Sequence, residues 1–410
     1  MKILIISARY HPETFSITNI AERIVELGHD VTVLTGRPHY GLGKPYPGYE
    51  KNVENEIING VKVIRVKERI RKKGLVSLIF NYLSIKKQFK KKLKKLTNDF
   101  DVVISHVMSP IFTMEGIKTF CEKNNTPHIH YGLDLWPESF IATGYLKRTN
   151  PIFKSLTKYC KKLYLTCDTI IFASPSTEYY FKKVLGLDID FKHIYQPCLT
   201  CPPDINLIKT HTYKKDGKLH ILYCGTVGRF HYLHLFIKAL SLVPEILDLI
   251  HVDIVGSGSQ LDFLKHQVND LNLNNVVTFH GRVSKEETAK FYLDSDVLYV
   301  PLYKNSYTSD MIPQKVIEYF MYGKPIFGTL EGDGLKLIKD ACSGNAIASF
   351  TPEGIADSLR TLTKIESDQL CYIGLENRKF FEHNKRFFLS TVCDEIIEVC
   401  QKNVDKRKNS

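Results

Sequence analysis

The sequence predicts an α/β protein of two doubly wound, Rossmann-like domains in series. Three observations carry this. The chain opens with an apolar run of strand length, Lys2–Ser7. A helical pattern through 17–27 follows, then the turn Gly28-His29 and a second strand, Asp30–Thr35. That is a βαβ unit, which implies parallel pairing and a right-handed crossover. The same alternation begins afresh after residue 215. Between the two halves, the stretch 196–217 holds Pro197, Pro202, Pro203, Asp204 and Gly217 without apolar periodicity, as an interdomain linker does. The expected division is a first domain over 1–196, a linker over 197–217, a second domain over 218–385 and a C-terminal helix over 386–410 that returns to the first domain. A chain of 410 residues is long enough for two such cores.

Further strands of the first half are expected at Val61–Val66, Val102–Ser105 and His128–Tyr131. In the second half they are expected at His220–Cys224, His251–Val255, Val276–His280 and Asp296–Pro301. Open sheets of this kind bind ligands beyond the carboxyl ends of their strands, so two of them are expected to face each other across a ligand-binding cleft.

Composition is 43% hydrophobic and 24% charged, which excludes a disordered chain. The formal net charge of +12 asks for an anionic partner: a nucleotide, a lipid surface or a nucleic acid. No nucleic-acid recognition motif accompanies it, and that class is set aside. The start MKILIISARY lacks the pattern of a signal peptide, and no apolar run is long enough to span a bilayer. Ten scattered cysteines then read as reduced thiols of a cytoplasmic protein, with Cys198-x-x-Cys201 an incidental pair.

Residues 310–328, DMIPQKVIEYFMYGKPIFG, carry the densest chemistry. Pro313 and Gly323 frame a helix bearing Lys315 and Glu318. Asp310 and Glu318, eight positions apart, make a pair of acceptors able to grip a polyol at two points. Three glycine turns end successive strands of the same half: Gly225-Thr226-Val227-Gly228-Arg229, then Gly256-Ser257-Gly258, then Gly281-Arg282. Glycine lets backbone approach a phosphate, and Arg229 adds a charged contact. Asp188-x-Asp190 and Asp294-x-Asp296 have a metal-binding form but read as surface or turn acids. In the first half, apolar residues at 75, 78, 79, 82, 85, 89, 93 and 96 form one helical stripe. Lys86, Lys87, Lys90, Lys91, Lys92, Lys94 and Lys95 cover the rest of its second part. Such a helix binds an anionic membrane surface or packs on a core behind a solvated lysine face.

Set side by side, GHDVTVLTGRPHYGLGKPYPGY (28–49), NGVKVIRV (59–66), DLWPES (134–139), the Gly225 turn, VGSGS (255–259), FHGRVSKEE (279–287), DVLYVPL (296–302) and the 310–328 block carry a resemblance. The chain resembles the retaining glycosyltransferases of family 4, of GT-B fold, and among them the bacterial surface-polysaccharide branch of N-acetylfucosaminyl-type amino-sugar transferases. The resemblance implies a nucleotide-sugar donor held by the second domain and an acceptor held by the first. Glu318 falls on the position that bonds the donor ribose. Asp310 falls on the position near the reacting sugar, where the broad family has Glu. Thr226 stands where an Arg is usual, so Arg229 and Lys315 are the expected partners of the diphosphate. Gly225, Gly228, Gly256, Gly281, Arg282 and Pro313 complete the expected donor site. On the acceptor side Asp134 is favoured over His130 as the catalytic group, with Trp136 stacking on a sugar and Glu138 placing a hydroxyl.

The implied reaction moves a sugar, an N-acetylated amino sugar, from UDP to a polyprenyl-diphosphate-linked glycan in capsule, O-antigen or exopolysaccharide synthesis. It would take place at the inner face of the plasma membrane, with no metal or other cofactor. Two rivals share the architecture: a UDP-sugar 2-epimerase and a non-catalytic nucleotide-binding module.

Overall fold

The structure, a computed structural model, describes residues 1–51, 53–72, 74–97, 99–302, 306–341 and 349–409. The chain forms two compact units. One comprises Met1–Ser139, Lys147–Leu199 and Arg386–Ser410; the other comprises Phe140–Leu146 and Thr200–Lys385.

The N-terminal unit is built on an eight-stranded sheet. Its strands are β1 (Lys2–Ser7), β2 (Asp30–Thr35), β3 (Asn55–Ile58), β4 (Val61–Arg65), β5 (Val102–Val107), β6 (His128–Gly132), β7 (Thr169–Phe172) and β8 (Asp190–His193), in the order 3-4-2-1-5-6-7-8. Every pair is parallel except the β3–β4 hairpin. β1, β2, β5 and β6 are buried along nearly their whole length because both of their faces are covered. The C-terminal helix Leu389–Lys408 belongs to this unit. Val392, Ile396 and Val399 join the core formed by Ile3, Ile5, Ile20 and Ile24. Asn403 Nδ2 donates to Thr169 Oγ1 at 2.9 Å and pins the helix to β7.

The C-terminal unit has five parallel strands: β9 (Leu219–Cys224), β10 (Ile250–Val255), β11 (Val277–Gly281), β12 (Val297–Pro301) and β13 (Ile326–Thr329), in the order 11-10-9-12-13. The order reverses between β9 and β12, so the crevice for a ligand lies beyond the carboxyl ends of those two strands. The Gly225 turn leaves β9 there, and the chain leaving β12 leads into the Gln314–Met321 helix. Thus the two doubly wound domains expected from the sequence are present, each with the expected strands shifted by no more than two residues.

Two expectations about surface charge are corrected. In the helix Leu75–Leu93, Leu78, Ile85, Phe89 and Leu93 are buried, whereas Ile79 is 49% exposed. Val76, Phe80 and Leu83, outside the expected stripe, are exposed too. The side chain of Leu75 lies outside the described residues. The expected stripe is therefore packed along most of its length and loses Ile79, which joins Val76, Phe80 and Leu83 on an open apolar face. Asp296 is no surface acid. It is 1% exposed and accepts from His211 Nε2 at 2.9 Å and from the backbone N–H groups of Lys214 and His220 at 3.2 and 2.9 Å.

Candidate active site

The three glycine turns of the C-terminal unit lie against one another. Gly225 N donates to Val255 O at 2.9 Å, Val227 N to Ser257 O at 3.0 Å, and Gly256 N to Gly281 O at 2.7 Å. Contact is so close that a Cβ on Gly256 would sit 1.8 Å from Gly225 O, and one on Gly258 2.2 Å from Val227 O. Gly256 and Gly281 join one turn to the next, and the amides of Gly225 and Val227 are already used. In the first turn, Thr226 N and Gly228 N are not among the amides that donate to a backbone acceptor. Tyr223 Oη donates to Thr226 O at 2.6 Å and holds the turn from below.

The helix Gln314–Met321 begins at Pro313, whose φ of −67° suits a helix entry, and ends before Gly323 at φ +58°. Its first turn places Lys315 under the Gly225 turn. A Cβ at Gly225 would stand 2.7 Å from Lys315 Nζ, and the ammonium lies 4.3 Å from the Tyr223 ring centre. The Nζ is buried and has no hydrogen-bond partner among the described residues. Burial lowers its pKa to about 8, opposed by Cys224 and Glu318.

Glu318 lies one helical turn on, where Tyr292 Oη donates to its Oε2 at 3.5 Å. Burial raises its pKa, against the pull of Lys315. His231 lies near enough to Lys315 to feel its charge, its ring centre 5.9 Å from that of Tyr223. Its Nδ1 is buried and unpartnered, and burial, helped by Lys315, lowers its pKa to about 3, so the ring is neutral. Sequence reasoning missed His231, although it follows the G-x-x-G turn by only three residues.

Asp310 ends the short 3₁₀ turn Tyr307–Asp310. Its backbone rests on Gly332, at φ +64°, where a Cβ would approach Asp310 Cα to 2.4 Å; Gly334 likewise abuts Pro313. The G-x-G of Glu331-Gly332-Asp333-Gly334, directly after β13, was the overlooked signal for this clamp. Arg229 and Arg282 are exposed, whereas the Nζ of Lys315 is buried.

In the N-terminal unit the DLWPES motif departs from expectation. Trp136 is 1% exposed and packs on Tyr82 and Phe112 at ring distances of 5.8 and 5.7 Å, so it is not a sugar platform. The Glu138 side chain is likewise 1% exposed, and Arg148 donates to both its oxygens at 2.7 and 2.6 Å. It is a buried carboxylate held by a half-exposed arginine rather than an acceptor ligand. The cause is the same for both: the motif's apolar members fold inward and carry their neighbours with them.

Trp136 still acts on Asp134 through a relay. Trp136 Nε1 donates to Ser109 Oγ at 3.1 Å, and Ser109 Oγ donates to Asp134 Oδ2 at 2.6 Å. Burial pushes Asp134 up to about 6 despite that hydrogen bond. His130 is fully buried on β6, with Nδ1 3.1 Å from Ser105 Oγ, and burial holds its pKa well below the usual value.

Comparison with known proteins places this architecture. Residues 15–197 match the family described as Glycosyltransferase Family 4, and residues 204–380 match Glycosyl transferases group 1. An uncharacterized glycosyltransferase of Methanocaldococcus jannaschii is 23% identical over 376 residues, 87% of each chain. Sucrose-phosphate synthase from Thermosynechococcus elongatus superposes with a TM-score of 0.71 at 14% identity, covering 98% of both chains. The Anabaena protein HepE, crystallised with UDP and glucose, superposes with a TM-score of 0.67 at 15% identity, covering 98% of this chain and all of that one. Its first half matching one family description and its second half the other, on two doubly wound units, the chain belongs to the family 4 glycosyltransferases of GT-B fold and is a transferase enzyme.

Proposed function

We propose that the protein is a retaining transferase that moves an N-acetylated amino sugar from a UDP-sugar to a lipid-linked glycan. The observation that carries the donor half is Lys315: a buried ammonium without a protein partner, under a glycine turn, one helical turn from a buried carboxylate. Unpaired buried charge is costly, and a site that keeps one is built for a counter-ion. A nucleoside diphosphate supplies it, with Glu318 accepting from the ribose hydroxyls. HepE, of the same fold, was crystallised with UDP, which supports that choice.

In the reaction the bond from the sugar C1 to the diphosphate oxygen breaks, and the electron pair leaves with the phosphate. Lys315 and the Thr226 and Gly228 amides stabilise that growing charge without a metal. Asp310 faces the donor sugar. The acceptor oxygen bonds C1 in place of the diphosphate, and its proton passes to Asp134, which Ser109 aims. The exposed Lys87, Lys91 and Lys94 of the Leu75–Leu93 helix rest on the anionic inner face of the plasma membrane, whereas Lys86 and Lys90 are partly held by Glu115, at 3.7 and 3.1 Å. The product belongs to a surface polysaccharide.

A panel of UDP-sugars with a lipid-linked acceptor tests this reading. UDP release should require both acceptor and one amino-sugar donor; isomerisation of the donor without acceptor would make the protein an epimerase. Glu318→Ala should weaken UDP binding by at least about tenfold, the worth of a charged hydrogen bond. An unchanged affinity would remove the ribose assignment.

The pH profile is a second test. Asp134 acts ionised and its pKa stands near 6, so kcat/KM should rise through about pH 6. Lys315 acts protonated and its pKa stands near 8, so kcat/KM should fall above about pH 8. Asp134→Asn should abolish the acid limb and leave the alkaline one. An alkaline limb absent below pH 10 would exclude Lys315 as the titrating group.

A further inference from the structure

A cavity of about 600 Å³ opens in the N-terminal unit, among residues that follow the carboxyl ends of β2 and β4. Three cations line it: Arg37, Arg69 and Lys72. Three apolar side chains line it as well, Ile70, Val76 and Phe80; Val76 is 67% and Phe80 47% exposed. Cations and open apolar surface in one concavity suit an anionic amphiphile.

The site is built rather than incidental. The segment bearing Arg69 and Lys72 is laced to the Leu75–Leu93 helix by three side chains on successive turns. Ser77 Oγ accepts from Lys72 N at 2.8 Å, Ser84 Oγ accepts from Arg69 N at 2.9 Å, and Asn81 Nδ2 donates to Arg69 O at 2.5 Å. The Arg69 guanidinium lies 4.7 Å from the Phe80 ring centre, so charge and apolar surface are held together. Arg37 gives its Nε to Tyr49 O at 2.8 Å and an Nη2 bond to Glu50 O, which leaves Nη1 for a ligand.

Glu68 also lines the cavity, with its side chain fully buried. Its Oε1 accepts from Arg9 Nη1 at 2.8 Å, while its Oε2 is buried with no partner. Burial pushes the Glu68 pKa up to about 7 against the pull of Arg9, so this unpartnered oxygen is an unsatisfied group that either gives a proton to a ligand hydroxyl or accepts one from it.

We propose that this cavity is the lipid-phosphate site of the acceptor. It takes a phosphate- or diphosphate-bearing isoprenoid or acyl chain, with the phosphate against Arg37, Arg69 and Lys72, the chain along Val76 and Phe80, and a sugar hydroxyl on Glu68. The proposal rests on the transferase reading above and supplies the acceptor contacts that Trp136 and Glu138 do not make.

The test uses the full chain and four probes: farnesyl diphosphate, farnesol, inorganic diphosphate, and vesicles containing phosphatidylglycerol. Farnesyl diphosphate should bind at least about tenfold more tightly than either fragment. Arg69→Glu with Lys72→Glu, and separately Phe80→Ser, should each weaken it about tenfold or more. These side chains are at the surface, so the fold is kept, and unchanged UDP affinity checks that. Equal binding of inorganic diphosphate would reduce the cavity to a free-anion site and overturn the proposal. So would loss of vesicle binding alone with farnesyl diphosphate affinity retained, which would mark a membrane-docking face. Failure of the donor reading would show as absent UDP binding with farnesyl diphosphate still bound, and failure of this proposal as the reverse.

Discussion

Replacing Lys315 with methionine should give a protein that is more stable at neutral pH and transfers sugar about 10²- to 10³-fold more slowly. The two effects share one cause. The Lys315 ammonium is buried with no protein acceptor, and its pKa falls to about 8. Its unfolded pKa is about 10.4, so between the two values the unfolded chain binds more protons than the folded one. Stability of the native protein therefore rises with pH across that window, and the penalty is present in full below about pH 8. Methionine keeps the stem and removes the charge, which should return on the order of 2 kcal/mol at pH 7 and nothing above pH 10.5. Some of that gain is offset at Glu318, which loses a neighbouring cation. The rate loss is that of one preorganised partner for a leaving phosphate, about 3–4 kcal/mol. Urea denaturation at pH 7 and pH 10, with UDP-release kinetics, measures both. A less stable and fully active variant would sink the assignment.

The comparison with Lys324 shows why Lys315 stands apart. Lys324 is also buried, and burial lowers its pKa to about 7, but its Nζ donates to Leu293 O at 2.7 Å and lies 5.5 Å from the Tyr213 ring centre. It closes the end of a helix and ties it to the start of β13. One buried lysine has found its partner within the fold; the other, nine residues earlier, has not. Titration alone does not separate them, and hydrogen bonding does.

Much of this was legible in the sequence, and for a common reason. A strand such as β1 is buried on both faces and reads as an apolar run, while β9 and β10 keep an apolar inner face against half-buried His220, His251 and Asp253. β8, Asp190–His193, alternates exposed and half-buried residues at the sheet edge and gives no such signal. The Pro313–Gly323 frame located its helix because proline and glycine act locally. Trp136 and Glu138 were misread because a polar motif looks the same whether it faces solvent or an internal partner. Only the fold shows that Arg148 reaches Glu138 and that Tyr82 and Phe112 cover Trp136. The cavity beside Glu68 was invisible for another reason: Arg37, the 68–72 segment and the start of the Leu75–Leu93 helix are apart in sequence, and only the fold brings them to one concavity.

Gly256→Ala should be the most damaging single methyl group in the C-terminal unit. Gly256 has φ +139°, which alanine rarely adopts, and its added carbon would fall 1.8 Å from Gly225 O and 2.9 Å from Gly225 C. Backbone, unlike a flexible side chain, cannot swing aside. Relief requires the Gly225 turn to move, which breaks the bonds from Gly225 N to Val255 O and from Val227 N to Ser257 O. Several lost hydrogen bonds with backbone strain put the cost at about 3–5 kcal/mol. The turn would then no longer stand over Lys315, so UDP affinity should fall more than the global stability loss explains. Gly281→Ala is the control. Its φ of +68° is also strained for alanine, at about 1–2 kcal/mol, but its Cβ meets nothing within 4 Å. Gly281→Ala should therefore lose stability modestly and keep UDP affinity. If both variants lost stability equally and both kept UDP, close contact between the first two glycine turns would not be what positions the donor site.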